Sequence, residues 1–194
     1  MQAVPDWSLL DAQLAAHPCA DEKERADLSR IRAFLAAHPQ DAHLRIQQAG
    51  HLTGSAFVLD AAREKVLLLF HGRLHRWLQP GGHGEGETEP LQIALREVEE
   101  ETGLGPADLR ALHGGPATSA ELFDVDIHGI PARTKPPLEP AHEHLDLRFA
   151  FVAREGAEPR ISEESQALQW VPLQDLPADG DAALARALRK LRRP

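Results

Sequence analysis

An acidic stretch in the middle of the chain has residue types and spacing that suit metal binding. LREVEEETGL, residues 95–104, contains four glutamates in ten residues. At about 100° per residue of an α-helix, Glu97, Glu100 and Glu101 share one arc about 100° wide, whereas Glu99 lies on another side. Like charges one turn apart destabilise a helix. The pattern therefore predicts either a site where oxygen ligands bind Mg²⁺ or Mn²⁺, or a solvated acidic helix face.

The helix that carries these glutamates is predicted to run from about Pro90 to Thr102. Proline suits a first helical turn, and Gly103 suits the position just after the last turn. Arg96 borders the carboxylate arc and lies one turn before Glu100, so the two can pair. The side of the helix that faces the core is predicted to carry Leu91, Ala94, Leu95 and Val98.

A second polar pattern lies on a predicted strand, HEHLDLRFAFV, residues 142–152. His142, His144 and Asp146 fall on one face because side chains alternate along a strand. The stripe could bind a metal or a substrate phosphate, or could be a polar sheet surface. We assign His142 and His144 to substrate binding. Nearby cations for a phosphate lie in the proline-rich loop 131–141, at Arg133 and Lys135.

The remaining histidines give weaker signals. His83 follows two glycines close to the acidic helix and is a further candidate for the site. Four others have no identifiable partner in the sequence, and we predict structural roles for His51, His71, His75 and His128.

Composition and net charge limit the classes of function and ligand that fit the sequence. The chain has 194 residues, 42% of them apolar, and a net charge of −9. An acidic protein has no basic field to attract nucleic acid, so a phosphate-bearing substrate would need local help from a cation. Cys19 is the only cysteine, which excludes an intramolecular disulfide and suits a cytoplasmic protein. The sequence shows no signal peptide and no membrane span.

The elements that must position these residues can be read from periodicity. Residues 1–45 are predicted to form a helical N-terminal extension, with helices on either side of His17-Pro18, that packs on the domain or forms a dimer interface. Two paired strands, 51–60 and 65–70, are followed by a glycine-rich loop, 77–90, and the acidic helix. Strands within 121–130, 142–152 and 166–173 and a final helix, 181–193, complete a mixed α/β domain over residues 46–194.

GGHGEGETEPLQIALREVEEETGL, residues 81–104, resembles the signature box of the Nudix hydrolase superfamily. Its second half, Arg-Glu-aliphatic-any-Glu-Glu-any-Gly-aliphatic, matches residues 96–104 at every defined position. The first half departs from the signature, because Thr88 stands where a glutamate is expected and Glu87 precedes it. This one-residue slip puts Glu87 in doubt as a partner of Arg96. A bacterial subgroup with a GGH loop and a downstream His-x-His-x-Asp is more similar still.

The resemblance implies the Nudix fold, a mixed sheet sandwiched between helices, and hydrolysis of a nucleoside diphosphate linked to another moiety. It implies Mg²⁺ or Mn²⁺ as cofactor, held by Glu97, Glu100, Glu101 and the Gly81 carbonyl, with Arg96 orienting a carboxylate. Glu100 or Glu164, in a later loop, is the expected general base. The alternatives are a nucleotide-binding module without hydrolysis and an isoprenoid diphosphate isomerase, which needs an active-site cysteine.

Overall fold

Eight strands and four α-helices lie in the described part of the chain, which covers residues 4–71, 75–134, 138–161, 166–176 and 182–192 of a computed structural model. The helices are α1 (Ser8–Ala16), α2 (Glu22–Ala37), α3 (Pro90–Thr102) and α4 (Ala182–Leu191). The strands are β1 (Gly50–Leu59), β2 (Lys65–His71), β3 (Arg76–Leu78), β4 (Gly81–His83), β5 (Leu109–Ala111), β6 (Asp124–Ile130), β7 (His142–Ala153) and β8 (Ala167–Pro172).

All eight strands join one mixed sheet, which confirms the predicted α+β class. The central path runs β3-β2-β1-β7-β5, with β4 paired to β1, β6 to β7 and β8 to β2. The long strands β1 and β7 run parallel along their whole shared length, with residues 50–59 opposite residues 143–152. Every residue of β1 is buried, as expected for a parallel strand covered on both faces.

Helices cover both faces of this sheet. Ala94, Leu95 and Val98 of α3 join the core cluster on one face. Ala187 and Leu188 of α4 join the second cluster, which packs on the other face. The sheet is therefore sandwiched between helices, as the resemblance implied.

The N-terminal helices pack on their own chain. Leu14 and Ile31 are fully buried in the larger core cluster. The backbone amide of Ile127 in β6 donates to the Asp27 carboxylate at 3.1 Å. Helix α2 therefore provides a hydrogen-bond partner for a backbone amide at the edge of the sheet. These helices share the core of the strands, and a boundary at residue 45 stays a prediction. Among the described residues, no helix has both the length and the apolar character needed to cross a membrane.

A network of buried charged side chains joins α2, β6 and α4. Arg186 is fully buried and donates to both carboxylate oxygens of Asp124, at 2.8 and 2.7 Å. Lys190 forms ion pairs with Glu24 and Asp124. Burying one such charge without a partner is costly, so the three elements depend on each other.

The glycine-rich segment 77–90 was predicted as loop, and this was wrong in part. The end of β3 and all of β4 lie within it, and β4 pairs with Thr53, Gly54 and Ser55 of β1. A side chain on Gly81 would lie 2.3 Å from the Ser55 Cβ, so only glycine permits this close pairing. Three-residue strands have no detectable periodicity, and the sequence accordingly gave no sign of β5 either.

Candidate active site

Helix α3 has the bounds that the sequence predicted. Gly103 follows it with a φ of 70°, in the left-handed region that glycine adopts without strain. Glu89 is the N-cap residue, although its side chain forms no capping hydrogen bond. A side chain on Gly54 of β1 would lie 2.5 Å from the Pro90 carbonyl oxygen, so α3 approaches the sheet directly over this glycine. The close approach fixes the helix relative to β1 and to its neighbour β4.

The Arg96 side chain forms hydrogen bonds with three of the acidic side chains at this site. Its Nη1 donates to Glu97 at 3.0 Å and to Glu100 at 2.8 Å. Its Nε donates to Glu87 at 3.0 Å, and its Nη2 donates to the carbonyl oxygen of His83 at 2.6 Å. Partial burial alone would lower the pKa of Arg96, but the hydrogen bond to Glu87 and the nearby carboxylates raise it overall. The guanidinium therefore stays charged and binds β4 to α3.

Arg96 and Glu87 are partners despite the one-residue slip in their spacing. The structure shows that Glu87 reaches Arg96 even though it stands one residue early. Glu85 adopts a φ of 47° and Gly86 a φ of 106°, so the loop before the helix turns sharply at this point. This turn lies immediately before Glu87 and helps to set where its side chain lies.

Glu97 lies against the backbone of β4. A Cβ at Gly82 would be only 2.5 Å from its Oε1, so the glycine makes room for the carboxylate. Burial raises the pKa of Glu97, Arg96 opposes this rise, and the neighbouring charge of Glu100 adds to it. A carboxylate that is short of water and next to like charge is one that a cation would stabilise.

Glu101 and Gly81 form the third part of the site. The amide of Gly81 donates to the Glu101 Oε2 at 3.0 Å. Glu101 is half-buried, whereas Glu99 is exposed on another side of α3, as predicted. Glu97 and Glu100 thus meet at Arg96, and Glu101 lies on the backbone of β4.

The donor set of α3 fits a hard divalent cation. All three side chains offer carboxylate oxygens, which Mg²⁺ and Mn²⁺ prefer, and the glycine at position 82 makes room for one of these carboxylates. In the described part of the chain, these three carboxylates do not form a group whose oxygens all lie within 4.8 Å of one another, so their convergence on one cation stays a prediction, as does the part assigned to the Gly81 carbonyl.

Other predicted residues have different outcomes. Glu164 and Lys135 lie outside the described residues. Arg133 lies between β6 and β7, where its backbone amide donates to the carbonyl oxygen of Glu139 at 2.8 Å, and its role in substrate binding stays a prediction.

His142 and His144 lie together with two other histidines on one face of the sheet. His51 stands opposite His144 in the β1–β7 pairing, and the Nε2 of His83 lies 3.2 Å from that of His144. The sequence predicted a structural role for His51 with its polar groups satisfied, and the second part was wrong, because both ring nitrogens are buried without a hydrogen-bond partner. Periodicity cannot reveal this cluster, since its members come from three strands that pair only in the fold.

Asp146, the third residue of the predicted stripe, has a separate environment. Its carboxylate accepts hydrogen bonds from Thr53 Oγ1 at 3.0 Å, Ser55 Oγ at 2.9 Å and Arg148 Nε at 2.8 Å. These partners satisfy the carboxylate within the sheet face. Arg148 also pairs with Asp124 at 3.5 Å, which connects Asp146 to the network of buried charged side chains.

Comparison with known proteins agrees with this geometry. The NUDIX domain family matches residues 51–191. The asymmetrical bis(5'-nucleosyl)-tetraphosphatase of Mus musculus is 30% identical over 112 residues, 58% of this chain and 66% of that protein, so the match spans just under two thirds of the mouse relative. A probable DHNTP pyrophosphohydrolase of Lactococcus lactis is 27% identical over 146 residues, 75% of this chain and 79% of that one.

A solved structure shares the fold. The binary complex of a C. elegans Ap4A hydrolase aligns with a TM-score of 0.54 at 20% identity, over 72% of this chain and 93% of that chain. The family match covers most of the chain, and the box helix has the arrangement described above around Arg96. The chain therefore belongs to the Nudix hydrolase superfamily.

Proposed function

We propose that the protein is a divalent-cation-dependent hydrolase that cleaves a diphosphate bond in a nucleoside diphosphate linked to another moiety. The observation that carries this proposal is the grouping of box residues around Arg96, which contacts Glu97 and Glu100 directly. The mouse and Lactococcus relatives, whose names describe cleavage of polyphosphate compounds, support the same reaction class.

Each box residue has a defined part in the proposed reaction. Glu97, Glu100 and Glu101 would hold Mg²⁺ or Mn²⁺, which offsets the charge of a diphosphate and lowers the pKa of a bound water. Arg96 keeps two of these carboxylates oriented through charge-assisted hydrogen bonds. The Gly81 amide does the same for Glu101.

Glu100 is the described residue best suited to accept the proton of the attacking water. It is the most exposed of the three carboxylates, with 59% of its side chain accessible, against 14% for Glu97. A general base must reach the water that it deprotonates, and an exposed carboxylate meets this requirement. Glu164 is the alternative base that the sequence analysis named.

Two other functions have less support. A binding module without hydrolysis was favoured only by the spacing slip, and the contact between Glu87 and Arg96 removes that argument. An isomerase would need a reactive cysteine. Cys19 lies between α1 and α2, and burial, followed by the charge of Glu24, raises the pKa of its thiol, which disfavours the reactive thiolate.

The substrate class can be tested with a panel of compounds. The panel contains a dinucleoside tetraphosphate, a pterin triphosphate, ADP-ribose, a nucleotide sugar and a 5'-triphosphate RNA, each with Mg²⁺ or Mn²⁺. A small-molecule nucleoside diphosphate derivative is the expected substrate, and the acidic net charge of −9 disfavours RNA.

The decisive comparison uses two variants of the same helix. Glu100→Gln should lower kcat by roughly 100-fold or more on any substrate that wild type cleaves, because a ligand or base of the reaction is lost. Glu99→Gln is the matched control, since Glu99 is exposed on another side of α3. Equal rates for Glu100→Gln and wild type would refute the assignment, and no cleavage of any compound by wild type would refute the proposed reaction.

A further inference from the structure

Four histidines converge on the sheet face opposite α3. Gly54 of β1 faces α3, and His51, three residues earlier on the same strand, points to the other face because side chains alternate. His144 lies opposite His51 on β7, and His83 lies opposite Thr53 on β4. In the described part of the chain, His51, His142 and His144 form the one group of metal-ligand side chains whose nitrogens all lie within 4.8 Å of one another.

Two of the nitrogen distances around His144 match the edge of a metal tetrahedron. The Nε2 of His144 lies 3.2 Å from that of His83 and 3.3 Å from that of His142. A tetrahedral Zn²⁺ with Zn–N bonds of about 2.0–2.1 Å separates its ligand nitrogens by about 3.3–3.4 Å. The rings approach from different directions, with interplanar angles of 89° for His83–His144 and 47° for His142–His144.

Hydrogen bonds among the rings cannot account for this arrangement. His142 Nδ1 lies 2.9 Å from the Pro140 carbonyl oxygen and can donate a hydrogen bond to it. In a neutral ring with the hydrogen on Nδ1, the Nε2 has a lone pair and no hydrogen. His144 Nε2 can carry one hydrogen, which can point to only one of its two neighbours. One of the two short contacts is therefore not a hydrogen bond, and a cation bound between the nitrogens would satisfy it.

His51 gives independent support. It is 1% exposed, and neither of its ring nitrogens has a hydrogen-bond partner. The backbone of Gln47 lies near enough to raise its pKa slightly, but forms no hydrogen bond of normal geometry with the ring. A buried polar nitrogen without a partner is unfavourable, and coordination of a metal ion would satisfy it.

Burial of His51, His83 and His144 favours the neutral form that binds a metal ion. Burial, followed by the charge of neighbouring histidines, lowers the pKa of His51 and of His83 to about 4 each. The same causes lower the pKa of His144 further still. Neutral imidazoles give lone pairs to a cation, and they supply no positive charge for a phosphate.

We propose that His51, His142 and His144 bind a transition-metal ion of the Zn²⁺ class, separate from the cation of the glutamates, with His83 next to His144 at the edge of this group. Imidazole nitrogens select such borderline ions, whereas Mg²⁺ prefers oxygen. The His142–Pro140 contact supplies the outer hydrogen bond that orients a metal-binding histidine. His83 contacts His144 through its ring and Arg96 through its carbonyl oxygen, so β4 links the histidine group to the glutamate site.

The test measures metal binding directly. The experiment uses the Glu97→Gln variant, because its glutamate site is weakened. A chelator first removes bound metal. The protein is then titrated with Co²⁺, whose visible absorption reports nitrogen coordination, and afterwards with Zn²⁺. We expect one equivalent to bind, and Zn²⁺ to displace Co²⁺. Adding His144→Gln should weaken Zn²⁺ binding by about 100-fold or more, since even outer contacts cost 10- to 100-fold.

A second measurement covers the case in which His144→Gln folds poorly. His51→Asn removes a different ligand of the proposed ion. His113→Asn, which changes an exposed histidine, is the control. Zn²⁺ should raise the Tm of wild type and His113→Asn but not that of His51→Asn, because an ion stabilises only the state that binds it. Absence of binding in the Glu97→Gln variant, or equal Tm shifts in all three proteins, would overturn the metal site and leave the proposed hydrolase untouched.

Discussion

Arg96 shows how much of the glutamate site depends on single side chains. It contacts three carboxylates and one carbonyl oxygen, and its pairing with Glu100, one turn away, follows from helical spacing. Its third partner, Glu87, could not be predicted with certainty, because a loop with residues at positive φ sets where that side chain lies. Residues within one helix were therefore predictable, and a residue positioned by an irregular loop was not.

A first prediction concerns Glu87. Replacing it in Glu87→Ala removes the acceptor of the Arg96 Nε and loosens the guanidinium that orients Glu97 and Glu100. The pair is partly exposed, so we expect a fall in kcat of about fivefold to tenfold, equivalent to about 1 kcal/mol. Steady-state kinetics on the best substrate of the panel would measure it.

The control is the neighbouring exposed residue, in Glu85→Ala, which should keep nearly full activity. If both variants had the same kcat, Glu87 would have no role in orienting Arg96.

The elements differ in how well their sequences predict them. The apolar side of α3 and the terminal glycine define that helix at both ends, and the alternation in β7 identifies its two faces. Strand β4 has no such pattern, because two of its three residues are glycines and its place is set by close packing against β1. Long amphipathic elements are thus determined locally, and short glycine-rich ones are determined by their neighbours.

A second prediction tests the contact between α3 and β1. In Gly54→Ala, the new Cβ would lie 2.5 Å from the Pro90 carbonyl oxygen and 2.9 Å from the Ala94 amide nitrogen. These are backbone atoms that cannot turn away, so we expect a loss of about 2 kcal/mol in the free energy of unfolding. Urea denaturation followed by circular dichroism would measure the change.

Gly129→Ala provides the comparison, because a Cβ there would have no atom within 4 Å. This variant should stay within about 0.5 kcal/mol of wild type. A Gly54→Ala protein as stable as Gly129→Ala would show that α3 does not rest on β1 as described.

At the scale of the whole molecule, the buried charges join parts of the chain that are distant in sequence. Arg186 and Lys190 of α4 meet Glu24 of α2 and Asp124 of β6. The amphipathic pattern of α4 predicted its apolar side but not the burial of Arg186, since an arginine in a helix is usually solvated. His83, His142 and His144 were candidates in the sequence, but their grouping with His51 could not be predicted, because these residues meet only after three strands have paired.

A third prediction follows from the ionisation of Glu24. Burial alone would raise its pKa, but hydrogen bonds from His17 and Lys190 lower it to about 2, from 4.5. A depressed carboxyl pKa contributes stability that is present above pH 4.5 and is lost as the pH falls through 2. The stability difference between wild type and Glu24→Gln should therefore be on the order of 3 kcal/mol at pH 7 and shrink between pH 4.5 and 2.

Denaturation at a series of pH values would measure this difference. Glu22→Gln, on the same helix with 85% of the side chain exposed, should follow the wild-type curve. A gap between wild type and Glu24→Gln that does not change with pH would contradict the description of the buried network.

The most direct test of the central claim is Mn²⁺ binding by the α3 glutamates, followed by electron paramagnetic resonance, in which bound Mn²⁺ loses the signal of the free ion. Wild type, Glu97→Gln and Glu99→Gln all retain the histidine cluster, so that cluster contributes equally to each titration. The account predicts that wild type and Glu99→Gln bind Mn²⁺ alike, and that Glu97→Gln binds it at least about tenfold more weakly, since an oxygen ligand is lost. Identical binding curves for all three proteins would contradict it.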